Sequence, residues 1–156
     1  MTKPIPEGYH AVTPYLIVSD AAKVIEFYKR GLGAQELMRM PGPGGKIMHA
    51  EVKIGDSVVM MGEEPADKPV MRSPQSTGTR TATLYVYVPD VDTTFKRALD
   101  AGAKVVTPIT DMFWGDRTGT IEDPSGHHVT LATHKEDLSP EEMNKRAAAA
   151  MKQGQK

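Results

Sequence analysis

Apolar residues along this chain switch twice from strand-like to helical spacing, and the two passages match. Tyr15-Leu16-Ile17-Val18 reads as a mostly apolar strand ending at Ser19-Asp20, good N-cap residues for a helix. Ala21, Val24, Ile25 and Tyr28 then fall at i, i+3, i+4 and i+7, the signature of one buried helix face, and Gly31 and Gly33 end it. Thr81–Val88 repeats the strand. Asp90 repeats the cap, and Val91, Phe95, Ala98 and Leu99 share a helix face that ends at Gly102. The offset is constant, 83 − 13 = 70 for the strands and 90 − 20 = 70 for the caps. A strand, a capped helix and further strands cannot bury their apolar faces alone, so two such units must pack together.

The remaining segments complete the plan. A strand is expected near Gln35–Met40, before the Pro41-Gly42-Pro43-Gly44-Gly45 turn. Lys46–Ile54 and Ser57–Met61 form a hairpin across Gly55-Asp56. Glu63–Gly78 is polar, holds three prolines and reads as a long loop. Val105–Ile109, Gly119–Glu122 and His127–Thr133 supply further strands, the last two joined by Asp123-Pro124-Ser125-Gly126. Residues 1–8 are proline-rich and extended. Ser139-Pro140-Glu141-Glu142 starts a last helix, with an N-cap, a first-turn proline and a capping-box glutamate. Its weak stripe of Met143, Ala147, Ala150 and Met151 is expected to pack on its own domain in preference to a partner. The whole reads as one α+β domain over 8–135, with modules at 8–64 and 80–135 and a helix and tail at 136–156.

Charge and composition narrow the function. A formal net charge of −1 offers no basic field for nucleic-acid phosphates. No run approaches the roughly 18 apolar residues of a membrane span. The N-terminus has no apolar core of a signal peptide, and with no cysteine there is neither disulfide nor thiolate chemistry. A soluble cytoplasmic protein is expected.

Taken together, several segments carry a resemblance. The repeated βαβββ order, the Asp20 and Asp90 caps with Phe27-Tyr28, Asp100-Ala101-Gly102-Ala103 and Asp123-Pro124-Ser125-Gly126 resemble the vicinal oxygen chelate superfamily of glyoxalases, bleomycin-resistance proteins and dioxygenases. Met48-His49-Ala50-Glu51, Ile54-Gly55-Asp56-Ser57 and Phe113-Trp114-Gly115-Asp116-Arg117 resemble its PhnB-like branch more narrowly. The resemblance implies two curved mixed sheets, a small-molecule site in the concavity between modules, and a homodimer. It also implies four metal-ligand positions, which fall here on Thr13, Met60, Thr83 and Thr130. Threonine and methionine are poor ligands where a divalent ion wants imidazole or carboxylate. No catalytic metal and no cofactor are therefore expected.

The inward positions that the resemblance implies, extended by strand parity, put Thr13, Tyr15, Met60, Thr83, Tyr85, His128 and Thr130 along the concavity, with Trp114 and Arg117 expected at its mouth. His49 and Glu51 share a strand face and, with His128, are the alternative metal set; a hydrogen-bonded scaffold is the favoured reading. Trp114 either stacks on a flat ligand while Arg117 meets its negative charge, or wedges a loop while Asp116 and Arg117 pair. The expected ligand is a small organic molecule, aromatic or amphipathic, with some negative charge, bound for sequestration or resistance. The alternative is a lyase, isomerase or dioxygenase rebuilt on His49, Glu51, His128 or Arg117.

Overall fold

In the computed structural model, which describes residues 2–154, the first module runs β1 (Tyr15–Val18), α1 (Ala21–Leu32), β2 (Gln35–Pro41), β3 (Ile47–Ile54) and β4 (Ser57–Glu63). A short helix, α2 (Pro74–Thr77), follows. The second module runs β5 (Thr83–Tyr87), α3 (Val91–Asp100), β6 (Lys104–Asp111), β7 (Asp116–Glu122) and β8 (His128–His134), and α4 (Pro140–Gln153) closes the chain. Each module is a four-stranded mixed sheet, ordered β1-β4-β3-β2 and β5-β8-β7-β6. The outer strand β1 or β5 runs parallel to its neighbour. Tyr15 lies opposite Met60 and Tyr85 opposite Thr130, so the 70-residue repeat holds in the register itself.

The caps act as the sequence requires. Asp20 accepts the Lys23 N–H at 3.0 Å and Asp90 the Thr93 N–H at 3.2 Å, satisfying amides that have no partner inside the helix. Gly33 ends α1 in the left-handed conformation, at φ 69°. Val24, Ile25 and Tyr28 of α1, and Val91, Phe95 and Ala98 of α3, are buried in one core with Val52 and Met61 of the first sheet and Ile121 and Leu131 of the second. The helices also meet each other. A Cβ on Gly31 would lie 3.2 Å from the Ala98 Cα, so α1 and α3 approach backbone to backbone there.

Polar bonds seal the junction between modules. The Tyr28 hydroxyl donates to buried Asp123 at 2.9 Å, the Ser19 amide to Ser125 Oγ at 2.8 Å, and His127 Nε2 to the Ile17 carbonyl at 2.8 Å. Burial pushes the Asp123 pKa up, opposed only in part by His127 and its hydrogen-bond donors.

Three expectations need correcting. Glu63 belongs to β4, and the expected long loop is anchored through Glu64. This buried carboxylate accepts the Ser73 amide at 2.9 Å and the Ser73 and Ser76 hydroxyls, and pairs with Arg72 at 3.2 Å. Burial alone would raise its pKa, but these donors outweigh it and hold the group at about 2. Ser73 also caps α2, a helix too short for a periodic signal. Next, β7 begins at Asp116, three residues before the expected start, which matters for the site. Finally, α4 buries none of its residues and leaves Met151 71% exposed. Arg146 joins it to Glu136 at 2.9 Å, so an ion pair replaces the expected packing. Residues 155–156 of the expected tail lie outside the described residues.

Gly31→Leu should lower unfolding stability by about 1–3 kcal/mol, the usual cost of overpacking a close contact. Urea denaturation of the two proteins measures it.

Candidate functional site

Because strand side chains alternate, the residues that do not face α1 or α3 line a second face on each sheet. On the first this set includes Tyr15, His49, Glu51 and Met60; on the second, Thr83, Tyr85, Tyr87, Asp116, Thr120, His128, Thr130 and His134. Both faces carry exposed rings, Tyr15 and Tyr85 being nearly half exposed and Tyr87 more so.

On the first face the buried carboxylate is Glu51, 5% exposed. Its Oε1 accepts His49 Nε2–H at 3.0 Å, and its Oε2 accepts the Tyr9 hydroxyl from the N-terminal arm. The other ring nitrogen, Nδ1, lies within hydrogen-bonding distance of the Tyr15 hydroxyl, at 3.3 Å. Burial would raise the Glu51 pKa, but the His49 and Tyr9 donors more than offset it and hold the carboxyl below its ordinary value. The arm residues Pro4, Ile5, Pro6 and Tyr9 line, together with Thr13, Glu51 and Met60, an open cavity of about 430 Å³.

On the second face the buried carboxylate is Asp116. Its Oδ2 accepts Tyr85 at 2.8 Å, Tyr87 at 2.9 Å and Trp114 Nε1–H at 3.2 Å; its Oδ1 accepts His134 Nδ1–H at 2.7 Å. Here too burial pushes the pKa up, while His134, Tyr85, Tyr87 and Trp114 together pull it below the ordinary value. His134 Nε2 also faces Asp137, at 2.9 Å. Two carboxylates around one ring favour the imidazolium, and Asp116 first, then Asp137, raise the His134 pKa. Tyr85 is pushed up to about 12, first by burial and then by Asp116, against the opposing Trp114 donor.

The predicted residues divide among different surroundings. Thr13 and Met60 share the cavity under the arm. Tyr15 and His128 line a cleft of about 370 Å³ at the module junction, with Arg72, Arg80 and Thr81. Tyr85 lines another beside Val12 and Pro14. Thr83 stands opposite His128 on the exposed edge strand, and the Thr130 hydroxyl lies 2.8 Å from that of Thr120. Trp114 folds over Tyr85 and Asp116, within the second cluster.

Arg117 is a correction. It is not at the mouth: it pairs with Asp92 of α3 at 2.9 Å and Asp111 of β6 at 3.0 Å, and these partners raise its pKa further. Since β7 already includes 116 and 117, alternation sends these neighbours to opposite faces. Asp116 and Arg117 therefore do not pair. His128 is a second correction to the alternative metal set, because it faces Glu122 at 3.4 Å while His49 faces Glu51. Among the described residues no three His, Asp or Glu side chains are grouped to hold a metal ion. Two hydroxyl side chains, a thioether and a third hydroxyl at Thr13, Thr83, Met60 and Thr130 do not fit a divalent ion either. Tyr9, Tyr87, Asp116 and His134 were missed as site residues. Only the start of β7 could have drawn Asp116 in, through its parity with Thr118 and Thr120.

The fold and faces now stand beside known proteins. The family model for the glyoxalase/bleomycin resistance protein/dioxygenase superfamily matches residues 9–131. The chain belongs to this superfamily. An uncharacterised protein of Mycobacterium bovis is 42% identical over 149 residues, covering 92% of this chain and 94% of that one. Among solved structures, TioX from Micromonospora has 27% identity and a TM-score of 0.61, covering 83% of this chain and all of its own. TnmS3, an antibiotic binding protein from Streptomyces, has 25% identity and a TM-score of 0.62, covering 86% of this chain and 100% of its own. Among the described residues of this superfamily member, no helix is long and apolar enough to cross a membrane.

The His134–Asp116 pair sets a pH window. The raised His134 pKa contributes stability fully present below the unfolded value of about 6.5 and lost as pH rises through the higher folded value. The lowered Asp116 pKa contributes stability present above its unfolded value of about 4 and lost as pH falls below it. His134→Ala should therefore destabilise most near pH 5–6 and progressively less above neutrality. Denaturant midpoints across that range test it.

Proposed function

We propose that the chain is a metal-independent binding protein that holds a small, partly aromatic organic molecule against the helix-free faces of its sheets. One observation carries the reading. Where metal-dependent relatives place ligands, this chain has Thr13, Met60, Thr83 and Thr130, beside the aromatic side chains of Tyr15, Tyr85 and Trp114. Exposed rings backed by fixed hydrogen-bonding groups suit stacking with orientation more than bond making. The printed description of TnmS3 as an antibiotic binding protein supports sequestration or resistance as the purpose. A cytoplasmic homodimer is part of the proposal, with the exposed Val105 and Val106 of edge strand β6 as apolar surface that a second copy could cover. Met48-His49-Ala50-Glu51 supports placement in the PhnB-like branch.

A second reading rests on the Glu51–His49–Tyr15 chain. A carboxylate orienting an imidazole toward a hydroxyl is a usable acid–base relay, which a lyase or isomerase would need. Turnover with a bell-shaped pH profile, lost in His49→Ala, would favour it over binding.

Trp114 is the only tryptophan, so its fluorescence reports directly on the second face. Titration with a panel of planar aromatic antibiotics should give saturable quenching without product. Trp114→Ala should weaken the best of them by about 1–3 kcal/mol in calorimetry, the usual loss for an aromatic anchor. Unchanged affinity in that variant, or no saturable binding across the panel, would sink the proposal.

A further inference from the structure

We infer that the cavity beneath the N-terminal arm seats a protonated nitrogen, an ammonium or amidinium on a small amphipathic molecule, with Glu51 as its counter-charge. The inference deepens the proposed binding role and rests on it. The buried acids of this chain are Glu51, Glu64, Asp116 and Asp123, and they are compensated differently. Glu64 has Arg72, and Asp116 has the His134 imidazolium. Asp123 is enclosed by Tyr28 and the Ser125 and His127 amides, and its own pKa moves toward the neutral acid. Glu51 has only the Tyr9 hydroxyl and the His49 imidazole, at 3.0 Å, with no lysine or arginine against it among the described residues.

A desolvated carboxylate whose one basic neighbour is an imidazole still favours a permanent positive charge beside it. The space to supply it is present. Glu51 forms part of the wall of the 430 Å³ cavity, a volume within the range of small-molecule sites. Each of its oxygens receives one hydrogen bond and keeps further acceptor capacity for an N–H donor. Around it stand Ile5, Pro6 and Met60 for an apolar body, Thr13 for one hydrogen bond, and the Tyr9 ring, whose face attracts cations. Arg117, which had argued for an anionic ligand, is engaged instead by Asp92 and Asp111. His10 lines the same cavity, so all three probes are compared at one fixed pH.

Full-length protein is titrated with phenethylammonium, 2-phenylethanol and phenylacetate, three probes of one shape and different charge, followed by NMR shifts of the Tyr9 and Met60 signals. Phenethylammonium should bind about tenfold or more tightly than the alcohol, and the acid more weakly still. Glu51→Gln should erase the preference, so that phenethylammonium and 2-phenylethanol bind about equally in that variant. Thr13→Lys, which tethers an ammonium in the cavity, should block the cation without disturbing the fold, and it serves if the glutamine variant is unstable. Equal binding of the three probes, or a preference that survives Glu51→Gln, overturns the inference. So does binding of aromatic antibiotics at Trp114 with none of these probes shifting Tyr9, an outcome that leaves the binding role intact. Failure of both titrations removes the binding role as well.

Discussion

Everything else in this molecule depends on how closely α1 and α3 approach. Gly31 leaves no side chain between the helices, and the Ala98 backbone sits where a Cβ would have been crowded. A similar economy occurs at Gly119, where a Cβ would meet the Phe95 ring at 2.6 Å. With the helices in contact, both sheets share one apolar interior that runs from Val52 and Met61 through Tyr28 and Phe95 to Ile121 and Leu131. Apolar burial is the dominant favourable term in folding, and a half-length module could not gather enough of it. The consequence for function is direct. Most apolar helix-facing positions of the inner strands are committed to the core, and the opposite positions are released for polar chemistry.

Those released faces follow one pattern with a difference. Each has a buried carboxylate, tyrosine hydroxyls and a histidine: Glu51 with Tyr9 and His49, Asp116 with Tyr85, Tyr87 and His134. Only the second adds an indole and a second acid on its histidine, which favours an imidazolium there. The two sets arise at non-equivalent places in the repeat, since Glu51 lies opposite Met60 whereas Thr120 lies opposite the matching Thr130, and Asp116 lies opposite His134. In the first module the roof is a separate arm; in the second it is Trp114, from the turn before β7.

Much of the fold was legible because its signals are local. Caps at Asp20 and Asp90, helical spacing and a constant offset depend on neighbours a few residues apart, and the structure keeps all three. The site was legible only where strand limits were right. Tyr15, Met60, Tyr85 and Thr130 keep the register read from the repeat, whereas Arg117 was misplaced because Trp114-Gly115 reads as an extended loop and hides the first residues of β7. Contacts distant in sequence had no local trace. Tyr9 reaches Glu51 across 42 positions, and Glu64 gathers Ser73 and Ser76 into an anchor that composition alone presents as open loop. The alanine-rich stripe of α4 misled in the opposite sense, since its residues find half-cover but no core.

The Tyr28–Asp123 bond has a consequence for how the molecule comes apart. The hydroxyl belongs to the first module's helix and the carboxyl to the second module's β7–β8 turn, and both are buried. Separating the modules would strand two polar groups inside apolar surroundings before water could reach them, and would strip Ile17 of its histidine donor at the same time. Neither half can loosen and wait for the other. A chain assembled from two copies of one motif should therefore unfold, in heat or denaturant, in a single transition.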